Sequence, residues 1–425
     1  MIKIHLFLIY YMIVSKVKNI KVAVIVFRLE FKVLLLRFIM GSLIIIQLGC
    51  AQNNVPKHAV YQKSLSQLPI EFKSFEAYQL AAKNWLSDNR VFLTQNRTKE
   101  LKFNTPFELP AKLNSGSENS KGILFVHGLG DSPYYFSDIA QTLNKQGFLV
   151  RVLLLPGHGS RPADLLSITS DAWVRLVDIQ INALKAQVDN VYLGGFSTGA
   201  NIVTSVALSD NAIKGLILFS PAFKAKTKLA RLSPLLPLYK PWPWLKSPNY
   251  MKNIARYSPV PSNAFAQYYY TSRDVQNKLE KKIFTKPVFM ALSEADSVVD
   301  VLAVAKYFSQ NFTHKNSKLV WFGNKPDLED NRIVVYSAKS DKYQVSNYSH
   351  MGMLFKPDNS YFGFPSGYRI CDNGQTESAF KKCYKKGDIW YSAWGYKEPD
   401  KAHARLTFNP KFDDMMQVLK QVLTK

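Results

Sequence analysis

Gly195-Phe196-Ser197-Thr198-Gly199 stands between a short apolar run, Val191 to Gly195, and a run of helical spacing over 199–208. In that setting the glycines permit a tight strand-to-helix turn, and the strained backbone holds the serine Oγ outward as a nucleophile. A serine hydroxyl is a weak nucleophile at neutral pH, so a base must take its proton and an acid must hold that base in one tautomer. Downstream, the apolar run Pro287 to Leu292 ends in Ser293-Glu294-Ala295-Asp296-Ser297-Val298-Val299-Asp300. Asp296 is the preferred acid there, with Glu294 and Asp300 as alternatives; Asp300 is better used as a helix start. Of the histidines that follow, His314 sits in a polar stretch and His403 in a charged one, and both read as surface residues. His350, within Tyr348-Ser349-His350-Met351-Gly352-Met353, has the semi-apolar surroundings that keep an imidazole partly dry, and it is the expected base.

A further cluster, Val126-His127-Gly128-Leu129-Gly130-Asp131, follows another apolar run. Its glycines let the backbone turn so that the Leu129 N–H points at a developing oxyanion, with the Thr198 N–H as second donor. His127, and His158 in Pro156-Gly157-His158-Gly159, read as structural hydrogen-bonding residues and not as bases.

These residues need elements to position them. Apolar runs predict strands at 122–126, 149–155, 191–195, 213–220, 287–292 and 318–322, the last of these closing the series. Helical spacing predicts helices over 131–146, 172–188, 199–208 and 300–308, and an earlier one carrying Phe75, Tyr78, Ala82 and Trp85. The alternation implies an α/β fold with a mostly parallel central sheet and helices on both faces. Chemistry in such sheets collects at the carboxyl ends of the strands, where the residues singled out above fall.

Taken together, strand-His127-Gly128, Pro156-Gly157-His158-Gly159, Gly195-Phe196-Ser197-Thr198-Gly199, Asp296 before Val298-Val299, and His350 resemble the α/β-hydrolase superfamily. Within it they are most similar to the carboxylesterase, monoacylglycerol-lipase and lysophospholipase groups, over about 120–355. The resemblance implies the chain order Ser, Asp, His for the triad, an inserted cap at 222–286, and ester hydrolysis without metal or organic cofactor. Thioesterase, amidase or acyltransferase chemistry on the same fold is the alternative, as is a catalytically silent envelope binding module. No role follows for the elaboration at 355–400, which places the catalytic domain at 71–425 overall.

Composition sets the remaining bounds. Hydrophobic residues at 47% and charged ones at 20% of 425 residues exclude a disordered or cysteine-stapled mini-protein. The net charge of +24 is unevenly distributed: seven basic residues against Glu30 in 1–50, and thirteen against Asp274 and Glu280 in the cap. At 232–245 prolines alternate with leucines and tryptophans, and an apolar strip on so basic a cap fits an amphiphilic ester or an anionic membrane face. Nucleic acid is a poor fit, with no recognisable binding motif. Residues 1–50 read as a signal or lipoprotein-like leader, and Leu48-Gly49-Cys50 resembles a lipobox that would make Cys50 a lipidated first residue. Residues 51–70 then form a tether. The expected location is the bacterial cell envelope, as a membrane-anchored lipoprotein on the periplasmic side or at the outer membrane, with an uncleaved membrane anchor as the alternative. In that oxidising setting Cys371 and Cys383 are expected to form a disulfide worth on the order of 3 kcal/mol.

Overall fold

Runs rich in β-branched, leucine and aromatic residues form one eight-stranded sheet in the computed structural model, which describes residues 57–111, 120–245, 251–366, 368–385 and 388–424. The leader and Cys50 lie outside the described residues. The strands are β1 (Phe107–Leu109), β2 (Lys121–Val126), β3 (Leu149–Val152), β4 (Asn190–Phe196), β5 (Ile213–Phe219), β6 (Val288–Ser293), β7 (Lys318–Phe322) and β8 (Ile333–Tyr336). They lie in the order β1-β3-β2-β4-β5-β6-β7-β8. β1 is antiparallel to β3, and every other neighbour is parallel.

Alternate side chains of each strand enter different apolar layers, as a sheet covered on both faces requires. Leu124, Leu216, Leu218, Met290 and Leu292 pack into one layer; Ile123, Phe125, Ile217, Phe219 and Phe289 pack into the other. The first layer is completed by α4 (Ser170–Lys185), α5 (Thr198–Ala207) and α7 (Val301–Asn311), the second by α3 (Ser137–Asn144) and α9 (Phe412–Thr424). The remaining longer helices described are α1 (Phe75–Asn89), α2 (Arg97–Asn104), α6 (Ser262–Leu279) of the cap region and α8 (Glu377–Tyr384) near the carboxyl end, with a single helical turn at Leu236–Tyr239 before α6. Thr169 Oγ1 starts α4 by accepting from the Ala172 N–H, and Asp300 Oδ1 starts α7 by accepting from the Ala303 N–H. Among the described residues no helix is long and apolar enough to cross a membrane.

The structure corrects four expectations. The helix placed at 131–146 is a 3₁₀ turn at Pro133–Phe136 followed by α3, because Pro133 fixes the first turn and the sequence offers no side-chain cap. β7 is not the last strand: β8 pairs with it in parallel, from Leu319 opposite Ile333. His403 is buried, not exposed, within β10 (Ala402–Arg405), which pairs in parallel with β9 (Ile389–Ser392) to make a second, small sheet. The stretch read as a tether is packed where described: Val60 and Tyr61 are buried, the Tyr61 ring meets Trp242 edge-on at 4.8 Å, and Ser64 Oγ donates to Asp164.

The elaboration at 355–400 belongs to the second apolar layer. Phe355, Tyr361 and Phe362 pack around Tyr134 and Tyr135, and a disulfide joins Cys371 to Cys383 in α8.

Candidate active site

β4 ends against the centre of the sheet, and Ser197 follows it with φ 54° and ψ −118° before α5 begins. A residue with a side chain rarely adopts that left-handed backbone, at a cost of about 1–3 kcal/mol, and such strain collects at functional sites. The turn leaves no room beside it. A methyl group on Gly195 would stand 2.5 Å from Ala200 Cα, and one on Gly199 would stand 2.1 Å from the Val126 carbonyl oxygen.

The partners come from the segment just beyond β6 and from the long loop after β8. His350 Nε2 lies 2.9 Å from Ser197 Oγ, and His350 Nδ1 lies 2.6 Å from Asp296 Oδ2. Asp296, just beyond β6, is fully buried, and its Oδ1 accepts from the Val298 N–H (2.7 Å) and the Val299 N–H (3.0 Å). Lys226 Nζ also donates to the Asp296 carbonyl at 2.8 Å. A carboxylate facing Nδ1 keeps the proton there, which leaves Nε2 free to accept one from Ser197. The alternatives to Asp296 are employed elsewhere: Glu294 accepts from the Asn324 N–H at 2.8 Å, and Asp300 caps α7.

Sequence reasoning missed what holds the His350 loop. Ser220 Oγ donates to the His350 carbonyl (2.9 Å), Ser293 Oγ to the Tyr348 carbonyl (2.8 Å) and Ser349 Oγ to the Leu406 carbonyl (2.5 Å). Ser220 adopts a positive φ of 40° at the end of β5, a feature that a serine code does not announce.

The loop after β2 carries Leu129. Neither the Leu129 N–H nor the Thr198 N–H donates to an acceptor among the described residues, so both remain available to a ligand oxygen. Two buried imidazoles shape this loop. His127 Nε2 accepts from the Leu155 N–H (3.1 Å) while its Nδ1 meets the Gly128 carbonyl (2.8 Å). His158 Nε2 accepts from the Gly130 N–H (3.0 Å) and its Nδ1 meets the Pro156 carbonyl (3.2 Å). Each uses one nitrogen to donate and one to accept, the pattern of a neutral ring. His314, by contrast, is half-buried and far along the chain at the end of α7, accepting from the Asn316 N–H. Among the described residues no group of three or more His, Cys, Asp or Glu side chains is arranged to hold a metal ion.

Burial pushes His127 down to about 4 and holds His158 well below the usual imidazole value, the neighbouring His127 adding to the latter. Between pH 6.5 and 4 the unfolded chain therefore binds protons that the folded chain refuses, and stability falls on acidification by about 3 kcal/mol for His127 alone. Burial raises Asp131 to about 6, despite Arg256 and His350 nearby, so its contribution has the opposite sign and grows as pH drops below 6. Two histidines outweigh one aspartate. The melting temperature is expected to fall between pH 7 and pH 4.5, and a series of thermal melts that stayed flat or rose would contradict this account.

Comparison with known proteins places these observations among relatives. A family model described as serine aminopeptidase, S33 matches residues 117–324, a span that holds Leu129, Ser197 and Asp296 and stops before His350. A thermostable monoacylglycerol lipase of Bacillus sp. (strain H-257) is 26% identical over 182 residues, covering 42% of this chain and 71% of that protein. Among solved structures, one of the metagenome-derived lipolytic enzymes LipS and LipT superposes with a TM-score of 0.44 at 19% identity, covering 52% of this chain and 87% of that one. The monoacylglycerol lipase of Paleococcus ferrophilus does so with a TM-score of 0.41 at 18% identity, covering 51% and 87%.

Proposed function

We propose that this chain, an α/β-hydrolase of the serine-hydrolase type, is a carboxylic ester hydrolase that works through an acyl-enzyme on an amphiphilic ester. The observation that carries the proposal is the hydrogen-bonded line from Ser197 Oγ through His350 to buried Asp296. In this reading Ser197 Oγ attacks the ester carbonyl as His350 Nε2 takes its proton. The Leu129 and Thr198 amides hold the oxyanion, and the alcohol leaves with the proton from His350. A water, deprotonated by the same nitrogen, then attacks the acyl-serine and releases the carboxylic acid.

The cap region supports an amphiphilic substrate. Leu229, Leu232, Leu235, Leu238, Trp244 and Leu245 are exposed there, interleaved with Lys228, Arg231 and Lys240. An exposed apolar strip edged with cations suits contact with a lipid surface. The leader, with Cys50 as lipid anchor or as part of an uncleaved anchor, would hold the enzyme at a bacterial envelope membrane where such esters are found.

Hydrolysis of p-nitrophenyl esters of increasing acyl length, together with labelling of Ser197 by a fluorophosphonate, tests the proposal. Turnover is expected to rise from short to medium or long chains; a profile peaking at acetate would remove the lipid reading, and failure to label would remove the serine-hydrolase mechanism. The serine aminopeptidase description of the matched family favours one second reading, amide hydrolysis. Faster turnover of aminoacyl p-nitroanilides than of any ester would select it.

A further inference from the structure

Beside the catalytic line, segments far apart in the chain close around a cavity of about 750 Å³. Its lining includes the apolar Leu93, Val260 and Phe265 and the basic Lys252, Arg256, Arg369 and Arg405. Arg90 also reaches it, but its guanidinium is fully engaged by Glu100 and by the carbonyls of Gly159 and Ile254, and it serves the fold. Among the described residues the carboxylates on the wall are Asp131 and Asp372, so the four cations carry an excess of positive charge.

Only part of that excess is answered inside the protein: against the cost of burial, Asp131 and then Tyr135 favour the charged form of Arg256. Arg256 Nη1 lies 3.6 Å from Asp131 Oδ1, an ion pair too long for a hydrogen bond, and that buried oxygen has no hydrogen-bond partner among the described residues. Arg405 donates from Nε to Asn373 Oδ1 (2.9 Å) and from Nη2 to the Asp372 carbonyl (2.7 Å), and its Nη1 has no hydrogen-bond partner among the described residues. Arg369 makes no hydrogen bond or ion pair among the described residues and is half-buried on the wall. Burial, and then the nearby Arg256, lower Arg405 to about 10, the mark of like charges crowded in a poorly solvated place.

The cavity adjoins the chemistry. Gly130 and Asp131, which line it, directly follow Leu129. A methyl group on Gly128 would stand 2.5 Å from Asp131 Oδ2 and 3.1 Å from Ser197 Cβ, so the Asp131 carboxylate lies within one residue's breadth of the nucleophile. A guanidinium offers a planar fork of donors that fits phosphate or carboxylate oxygens, and three of them around one space make a receptor for such a group.

We propose that this cavity is an anion-binding subsite in which Arg256, Arg369 and Arg405 hold a phosphate or carboxylate group of the ester substrate, so that negatively charged esters are selected over neutral ones. The selectivity rests on the ester-hydrolase reading; the binding of the anion does not. The anion is carried either by the alcohol part or by the acyl part of the ester, and two substrate pairs separate these. One compares 1-oleoylglycerol with 1-oleoylglycerol 3-phosphate, the other p-nitrophenyl hexanoate with the mono-p-nitrophenyl ester of adipic acid. In at least one pair the charged member is expected to have the higher kcat/KM by about tenfold or more, mainly through KM, with the preference shrinking as salt is raised. Arg369→Gln, at a residue with no hydrogen bond or ion pair among the described residues, is expected to cut the charged-to-neutral ratio about tenfold, and Arg405→Gln further, each provided its melting curve shows it folded.

Binding is measured separately on the full-length Ser197→Ala protein by calorimetry with inorganic phosphate and with glycerol 3-phosphate. Saturable binding weakened by Arg369→Gln supports the subsite even if no ester is turned over, in which case the enzymatic reading fails alone. Ester turnover without charge preference in either pair, together with no anion binding, overturns the subsite and leaves the enzymatic reading standing.

Discussion

Replacing Ser197 with alanine is expected to lower kcat on a good ester by about ten thousandfold or more while the protein stays folded. In the proposed mechanism the loss is large because the Oγ is the reacting atom; what would survive is the acceleration that binding and the oxyanion donors give to attack by water. The fold is spared for a local reason. Alanine keeps the Cβ and the same positive φ, so the turn is neither relieved nor further strained, and the change removes one hydrogen bond at a side chain only 8% exposed. Steady-state kinetics beside a thermal melt check both halves. A folded variant retaining a hundredth of the activity would show that another group is the nucleophile.

Asp296→Asn is expected to cost about as much, roughly ten thousandfold in kcat, through a single misplaced proton. Asp296 Oδ1 accepts from the Val298 and Val299 N–H groups, so an asparagine there keeps its oxygen on those amides and turns its NH₂ toward His350. His350 Nδ1 then has to accept, its proton moves to Nε2, and the nitrogen facing Ser197 is no longer a base. The two amide bonds that anchor the loop survive, so the melting temperature should change little. Fluorophosphonate labelling should slow in parallel, because it needs the same proton transfer. A loss below tenfold would mean that Asp296 does not orient the base.

The Ser197–His350–Asp296 line was legible because each member sits in a recognisable local pattern. The Gly-x-Ser-x-Gly pentapeptide lies between a strand and a helix, the acid follows β6, and the histidine follows the sheet in a semi-apolar stretch. What escaped reading depends on contacts that no local pattern encodes. β1 and β8 are short edge strands with one neighbour each and partly exposed side chains, so they lack the continuous apolar run of the central strands. His403 sits among charged residues in sequence, yet β10 brings it against Glu398, with Nε2 3.4 Å from the carboxylate, and against the ring of Tyr396. Ser220, Ser293 and Ser349 find their acceptors across long loops, and the four cavity cations come together from residues 252 to 405.

The disulfide between Cys371 and Cys383 also bears on how firmly a ligand can be held. Both cysteines line the cavity, and the wall residues Arg369, Asp372 and Tyr384 lie within two positions of one or the other. A wall built from a loop and a short helix would ordinarily have to be ordered by each ligand that entered, at the expense of affinity. Here that ordering is settled once, when the two thiols are oxidised. In a reducing compartment the same wall would have to be shaped anew by every molecule it bound.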